Sequence, residues 1–524
     1  MNNNEHGIGS KISRRNFLGA SSKAAVAVTI GMTIPFSIGE KEAAAAKFPS
    51  YPFTLGVASG DPLPESVVLW TRLAPDPLAA DGLGGMTEEE VIVKWEVAVD
   101  EQFKTIVKRG HEVATPDYAY SIHAEVYGLE PGKEYYYRFK SGNDFSPVGK
   151  TKTAPAYGSQ LDQLNFAFAS CQNVPAGYYT AYDHMVKEDL DLVIFLGDYI
   201  YENGGQGTIG RGHVPAKEIF TLEDYRVRYG QYKSDPSLQA AHAVFPWIVT
   251  LDDHELENNF GGDATNYPNK YASKEEFLAR REAAFQAYYE HMPLRRSALP
   301  SGIDMQVYRR FNFGNLAEFN VLDTRQYRTN TTSDRLDPNK TMMGEVQESW
   351  LYDGLSRSNA HWNILAQQVL MAQRDTKLGE GYEFATDNWN GYVANRDRLF
   401  NCITENDLNN VVVITGDSHR NWVNDLKEDF FNLDSRTLAT EFVGTSISSG
   451  GDGKDMDQAG IDIMSENPHV KWMNNQRGYV RCQLTPEQLR ADFMVVPHVT
   501  MPGAPISNRA SFIVENGKPG AVRI

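Results

Sequence analysis

The chain has 524 residues, 41% hydrophobic and 23% charged, which excludes a disordered chain, a collagen or coiled-coil repeat and a disulfide-rich miniprotein. Formal charge is −18, from 50 Lys and Arg against 68 Asp and Glu, the wrong sign for a free-standing nucleic-acid-binding module. Three cysteines (Cys171, Cys402, Cys482) cannot build a disulfide framework, and the odd count leaves at least one thiol unpaired.

The N-terminus reads as an address rather than a fold. Ser13-Arg14-Arg15-Asn16-Phe17-Leu18-Gly19 precedes a moderately apolar run from Ala24 to Ile38, followed by the small residues Ala43 to Ala46. A basic start, a short apolar stretch and a small-residue cleavage site make residues 1–46 a signal peptide, and the adjacent arginines mark the twin-arginine route. Pro35 cuts the run short of the ~20 apolar residues a spanning helix needs. The expectation is a secreted protein of the cell wall or periplasm, with no transmembrane segment in the mature chain and the twin-arginine translocase as its partner during export. The leader carries five basic and three acidic residues, so its loss takes the formal charge to −20. That route carries folded cargo, often with a cofactor loaded, which hints at a metal site.

From Phe53 to about Pro155 short alternating stretches are separated by turn residues. Val67–Trp70, Val91–Val99 and Tyr135–Phe139 read as strands, with Leu129–Lys133 a turn between two of them. With Trp95 mid-strand, the region resembles a fibronectin-III-like all-β sandwich, spanning 47–155, and it holds no visible catalytic chemistry. Thr153 to Ser159 opens a linker, placed at 156–164, before a second domain at 165–524.

Beyond the linker, apolar strands end abruptly in polar residues with helical stretches between. Asn165–Ala169 runs into Ser170-Cys171, Leu192–Leu196 into Gly197-Asp198-Tyr199-Ile200-Tyr201-Glu202, and Val244–Leu251 into Asp252-Asp253-His254-Glu255. Leu316–Leu322 runs into Asp323-Thr324-Arg325, and Val411–Thr415 into Gly416-Asp417-Ser418-His419. Ser273 to His291 reads as a helix with Ser273 and Glu276 in a capping box, and Glu345 to Ser356 as another. Buried strands delivering polar residues at their carboxyl ends are how α/β folds build a site.

Singly, each strand end has a bland reading: Asp198 as a helix cap, Cys171 as a small core residue, His419 as a satisfied turn histidine. Asp252 and Asp253 with Glu255 nearby are harder to dismiss, because adjacent carboxylates repel unless a positive charge sits among them. Together Cys171, Asp198, Tyr201, Asp252, Asp253, His254, Asn258, Asp417 and His419 mix thiol, phenol, imidazole, carboxylate and amide donors. Sulfur, phenolic oxygen and nitrogen suit a transition metal, while carboxylate and amide oxygens suit Ca²⁺ or Mg²⁺.

The order of these motifs resembles metallophosphoesterases, with Tyr201 in a ligand slot as in purple acid phosphatases, Asp253 where Asn is usual and Asp417 replacing the first His of the last motif. Those departures, the leader, Gly56–Pro62, Asp387–Tyr392 and Glu441–Gly451 together resemble the PhoD-type alkaline phosphatase/phosphodiesterases over essentially the whole length. The resemblance implies an N-terminal sandwich followed by a four-layer αββα α/β metallophosphoesterase domain. It also implies Fe³⁺ with Ca²⁺ beside it, more than one Ca²⁺ being expected. On that reading Asp198 bridges the ions, Cys171, Tyr201 and His419 complete the iron side, and Asp253, Asn258 and Asp417 serve Ca²⁺. The implied reaction is hydrolysis of phosphomonoesters or phosphodiesters by metal-activated hydroxide attacking phosphorus in line, for phosphate scavenging. His254 is the expected proton donor to the leaving group, and Arg325 is weighed as a phosphate clamp against a structural salt bridge. Two alternatives stand beside this: a phospholipase D-type phosphodiesterase acting on lipid or teichoic-acid diesters, and a non-catalytic calcium-binding module associated with the cell wall.

Overall fold

The computed structural model describes residues 48–87, 89–329 and 334–524; the signal-peptide reading lies outside them. The N-terminal strands are β1 (Val57–Leu63), β2 (Ser66–Arg72), β3 (Val91–Ala98), β4 (Ile106–Ala114), β5 (Ser121–Tyr127), β6 (Glu134–Ser141), β7 (Asp144–Phe145) and β8 (Gly149–Lys152). Three parallel strands follow: β9 (Leu164–Ala169), β10 (Leu192–Phe195) and β11 (Pro246–Val249). Next come β12 (Arg309–Phe313), β13 (Ala317–Val321), β14 (Trp362–Gln367), β15 (Val411–Thr415), β16 (Asn421–Lys427), β17 (Thr437–Val443) and β18 (Val470–Asn474). The last four are β19 (Arg477–Leu484), β20 (Gln488–Val496), β21 (Ser507–Glu515) and β22 (Lys518–Arg523).

These strands form three sheets. One has ten strands in the order β22-β21-β20-β19-β9-β10-β11-β1-β2-β5, another seven in the order β12-β13-β14-β15-β17-β16-β18. The third runs β4-β3-β6-β7, with β8 on β6. The N-terminal all-β region therefore does two things. β1 pairs in parallel with β11, so β1, β2 and β5 extend the sheet that carries the candidate site, while β3, β4 and β6 close over them. Val57, Leu69, Val93, Val97, Ile122, Tyr137 and Phe139 fill the space between. β3 shows the expected alternation, with Val91, Val93 and Val97 buried while Ile92 and Lys94 face water.

A second core lies between the two large sheets. Phe166, Phe168, Ile194 and Ile248 of the ten-stranded sheet meet Phe319, Ile364, Val412 and Ile414 of the seven-stranded one. Because β10 and β15 are buried on both faces, they read as near-continuous apolar runs, while β9 and β14 are broken by Asn165 and by Asn363 and Gln367. Helices α1 (Thr180–Met185), α2 (Leu222–Lys233), α3 (Pro236–Val244) and α4 (Lys274–His291) cover the outer face of the ten-stranded sheet, packing around Trp247 and Phe195. Two more, α5 (Gly344–Arg357) and α6 (Val393–Glu405), pack with Leu365 and Val413 on the other side, and α7 (Gln458–Glu466) lies by β18.

The long helix forms where its cap predicts: Ser273 accepts from the Glu276 amide, and Glu276 accepts in turn from the Ala272 amide at 2.6 Å. One strand is shorter than its apolar run suggests. Val244 ends α3, which Asp235 caps and Pro236 opens, so β11 starts only at Pro246. No helix among the described residues is long and apolar enough to cross a membrane.

Candidate metal centre

The carboxyl ends of β9, β10 and β11 meet those of β13 and β15, stitched by a bridge between Ser170 and Ser446. At this seam the backbone is strained. Cys171, Asp198, Asp417 and His419 all adopt left-handed conformations, with φ of 60°, 57°, 56° and 52°. Each such residue costs about 1–3 kcal/mol and persists only where its surroundings over-determine it. Gly197 shows how tightly the ends are packed: φ is +98°, and a Cβ there would lie 2.4 Å from that of Asp252. The Glu255 carboxylate ties two ends together, accepting from the backbone amides of Asp198 (3.1 Å), Tyr199 (2.5 Å) and Asp252 (2.7 Å). The Cys171 amide donates to Gly197 O at 3.0 Å.

Three groups of potential ligand atoms result, each with its atoms within 4.8 Å of one another: Cys171, Asp198 and His419; Asp198, Asp253 and His254; Asp252, Asp253 and Asp417. Asp198 belongs to the first two and Asp253 to the last two, so the groups form one continuous cluster. Tyr201 joins the first. Its hydroxyl donates to Asp198 Oδ2 (2.9 Å), lies 3.0 Å from His419 Nε2 and accepts from the Ser449 hydroxyl (2.7 Å).

His254 is held from behind. Its Nδ1 lies 2.6 Å from Glu202 Oε2, and its ring sits 4.2 Å from that of Tyr201. Glu202 also accepts from the Asn258 amide at 3.0 Å. The side chain of Asn258 donates to Tyr267 Oη (2.7 Å), so it is the next residue, Asn259, whose backbone amide reaches Asp253 Oδ2 (2.6 Å). The Asn259 side-chain amide, turned nitrogen-first, donates to Asp253 Oδ2 (3.1 Å) and Asp387 Oδ2 (3.0 Å).

Arg325 lies within the cluster, fully buried. Its Nε donates to Asp252, Nη1 to Asp387 (2.8 Å) and Nη2 to Asp417 (3.3 Å), with Asp253 3.7 Å away. Arg328 supports Asp387 from the other side at 2.7 Å.

Burial and mutual repulsion decide the electrostatics. Burial, with Asp198 nearby, pushes the Cys171 thiol and the Tyr201 phenol well up, and Asp417 and Asp252 add to the effect on Cys171. Burial likewise raises Asp252 well above the usual range, despite Arg325, and Asp417 to about 6. Asp253 is buried too, but Arg325 and His254 outweigh that and hold it below the carboxylate range. For His254 burial opposes the imidazolium, yet Glu202, Asp253 and Asp198 prevail and raise it well above the ordinary value. The Asp252 Oδ2 atom is buried without a hydrogen-bond partner. A cluster with this many anionic donors, one oxygen unanswered and one guanidinium to balance them, is chemically suited to cations.

Six of the seven residues expected as ligands, Cys171, Asp198, Tyr201, Asp253, Asp417 and His419, come together at one seam, as do His254 and Arg325, whereas the Asn258 side chain turns to Tyr267. Trp389, Tyr392 and Trp422 are buried in the neighbouring cores. Residue-type reasoning gave no role to Glu202, Glu255, Asn259, Asp387 or Ser449, although Glu202 and Glu255 close two of the strand-end motifs and Asp387 and Ser449 fall inside the stretches Asp387–Tyr392 and Glu441–Gly451.

The PhoD-like phosphatase family model matches residues 166–493, and that of the PhoD-like phosphatase N-terminal domain matches residues 39–155. Alkaline phosphatase D of Bacillus subtilis (strain 168) is 53% identical over 525 residues, spanning 98% of this chain and 89% of that relative. A solved structure of PhoD superposes with a TM-score of 0.88 at 54% identity, covering 92% of this chain and 93% of that one. Sequence and fold agree across both regions, and the chain belongs to the PhoD-like phosphatase family.

Proposed function

We propose that the cluster at the seam is the active site of a metal-dependent phosphoric ester hydrolase of the alkaline phosphatase D kind. The observation that carries this reading is the convergence of Cys171, Asp198, Tyr201, Asp253, Asp417 and His419 on shared ligand positions, with Asp198 common to two groups. The donors sort by chemistry. Sulfur, phenolic oxygen and imidazole on the Cys171 side fit Fe³⁺; the carboxylates Asp253 and Asp417, with an amide oxygen from Asn258, or from Asn259 when its amide turns oxygen-first, fit Ca²⁺, and the third group leaves room for a second Ca²⁺. Such ions, when bound, neutralise phosphoryl oxygens and acidify water near neutral pH.

The chain's own residues do the rest. Asp198 aligns the two halves of the cluster. Glu202 fixes the His254 ring and keeps it protonated, so that His254 hands a proton to the departing alkoxide. Arg325 balances buried carboxylates in our reading rather than clamping phosphate, because each of its three nitrogens already faces one. The sheets sandwiched between helix layers support the four-layer αββα description, and the paired N-terminal sheets the fibronectin-like one. Export by the twin-arginine route to the cell wall or periplasm, and phosphate scavenging there, rest on the leader sequence alone.

Two measurements test the site. Chelation is expected to abolish hydrolysis of a chromogenic phosphomonoester and Ca²⁺ to restore it; turnover that survives exhaustive chelation would refute metal dependence. Separately, Cys171→Ser is expected to bleach or shift any thiolate- or phenolate-to-iron absorption and to lower iron content. An unchanged spectrum and iron-to-protein ratio would remove Cys171 from the ligand set.

A further inference from the structure

Arg374 is the cation near the centre that the protein leaves unused. It lies on the segment after β14, half-buried, with its guanidinium stacked 5.2 Å over the Trp422 ring. Trp422 in turn donates from Nε1 to the Ser418 hydroxyl at 3.0 Å, and Ser418 stands between Asp417 and His419. Among the described residues Arg374 donates to no protein acceptor, and none of its nitrogens is a fully buried unpartnered atom, so its N–H groups stay open to solvent. The acids around it are committed elsewhere. Glu441 accepts from the amides of Met371 and Ala372, from Thr415 and from Asn424, and Asp417 accepts from Arg325.

A second guanidinium, Arg420, lies close enough to repel it and is paired through one nitrogen with Asp457 at 2.8 Å. Exposure then separates the floor of the centre from its open side. Asp198, Asp252 and Cys171 are buried, whereas the side chains of Asp417 and His419 are 31% and 36% exposed. The centre thus opens to solvent on the Asp417–His419 side, where Arg374 and Arg420 stand. A substituent of a phosphoryl group that leaves the donors through this opening passes them.

We propose that Arg374, seconded by Arg420, is a specificity-determining residue that binds a further anionic group, a phosphate or carboxylate, on the leaving-group side of the substrate. The inference rests on the seam being the phosphoesterase site. Long-range repulsion from an acidic chain makes such a local positive pair useful to a polyanionic substrate. Planar, delocalised Arg held on an indole face keeps its N–H edge free for an oxyanion.

The test compares phenyl phosphate with para-phenylene bisphosphate, the same aryl ester bearing a second phosphate, by release of inorganic phosphate from the metal-loaded protein. For Arg374→Ala the ratio of kcat/KM values, bisphosphate over phenyl phosphate, is expected to fall about tenfold, mainly through KM of the bisphosphate, with Arg374→Lys recovering part of it. A ratio within twofold of wild type, whether both substrates suffer equally or neither does, would overturn the proposal. Iron and calcium content and the circular dichroism spectrum of each variant exclude misfolding as the cause. Wild-type protein that cleaves neither ester would instead sink the underlying function.

Discussion

Asp198→Ala is expected to lose at least about a thousandfold in kcat/KM and most of its bound metal, the largest effect of any single side chain in the molecule. The reason is position rather than charge alone. Asp198 Oδ2 receives Tyr201 and lies 3.9 Å from His419 Nε2, while Oδ1 receives the His254 amide at 3.4 Å. One carboxylate thus touches both halves of the cluster, and alanine leaves Tyr201 and His419 without their common anchor. Stability need not follow. Removing one negative charge from a cluster that includes Asp252, Asp253 and Asp417 relieves repulsion in the metal-free protein, so thermal unfolding of the apo variant should occur at or above the wild-type midpoint. Loss of activity without loss of fold is the signature to look for, read by metal analysis, ester turnover and a melting curve on the same sample. An Asp198→Ala protein with wild-type metal content and turnover would dismantle the site assignment.

Much of this site was legible in the residues because parallel strands buried on both faces leave a simple record. Ile194 and Phe195 are apolar by necessity, and the first polar residues after them, Gly197 and Asp198, mark where the strand leaves the core. The same reasoning located Cys171, Asp252, Asp253 and Asp417. It could not show that these residues come from two sheets rather than one, because the pairing of β9–β11 and of β13–β15 depends on which strands neighbour one another, a long-range choice absent from local pattern. Nor could it show that β1, β2 and β5 continue the ten-stranded sheet, since an alternating strand looks the same at a domain edge as in a free sandwich.

The roles of the second rank of residues were hidden for a different reason. Glu255 accepts from three backbone amides and Glu202 from one amide and one imidazole, and no spacing assigns a glutamate after a strand to such contacts. Arg325 was legible as a cation in the right place, but its use was not. Only the positions of Asp252, Asp387 and Asp417 show that its fork is already filled.

That filled fork leads to the other large effect. Arg325→Met is expected to destabilise the metal-free protein by about 3–5 kcal/mol, because it strips the guanidinium from Asp252 and Asp253, which are buried and cannot be resolvated, as well as from the half-buried Asp387 and Asp417. Arg325→Lys should recover little: an ammonium is a point charge and cannot reach Asp252, Asp387 and Asp417 in three directions at once. The sign of the pH effect follows. Burial and the surrounding acids already raise Asp252 and take Asp417 to about 6 with Arg325 present, so removing the arginine raises both further. A group whose folded pKa lies above its unfolded value binds more protons when folded, and stability falls as pH climbs through that range. The apo variant should therefore lose most above about pH 6 and be closest to wild type in acid. Metal ions neutralise the same carboxylates, so the penalty should shrink in the loaded protein, and by linkage metal affinity should rise by the amount that it shrinks. Urea unfolding of apo and loaded forms across pH reads all of this. An apo Arg325→Met protein within about 1 kcal/mol of wild type near neutral pH would mean that the cluster does not need its arginine, and that the guanidinium is free for substrate after all.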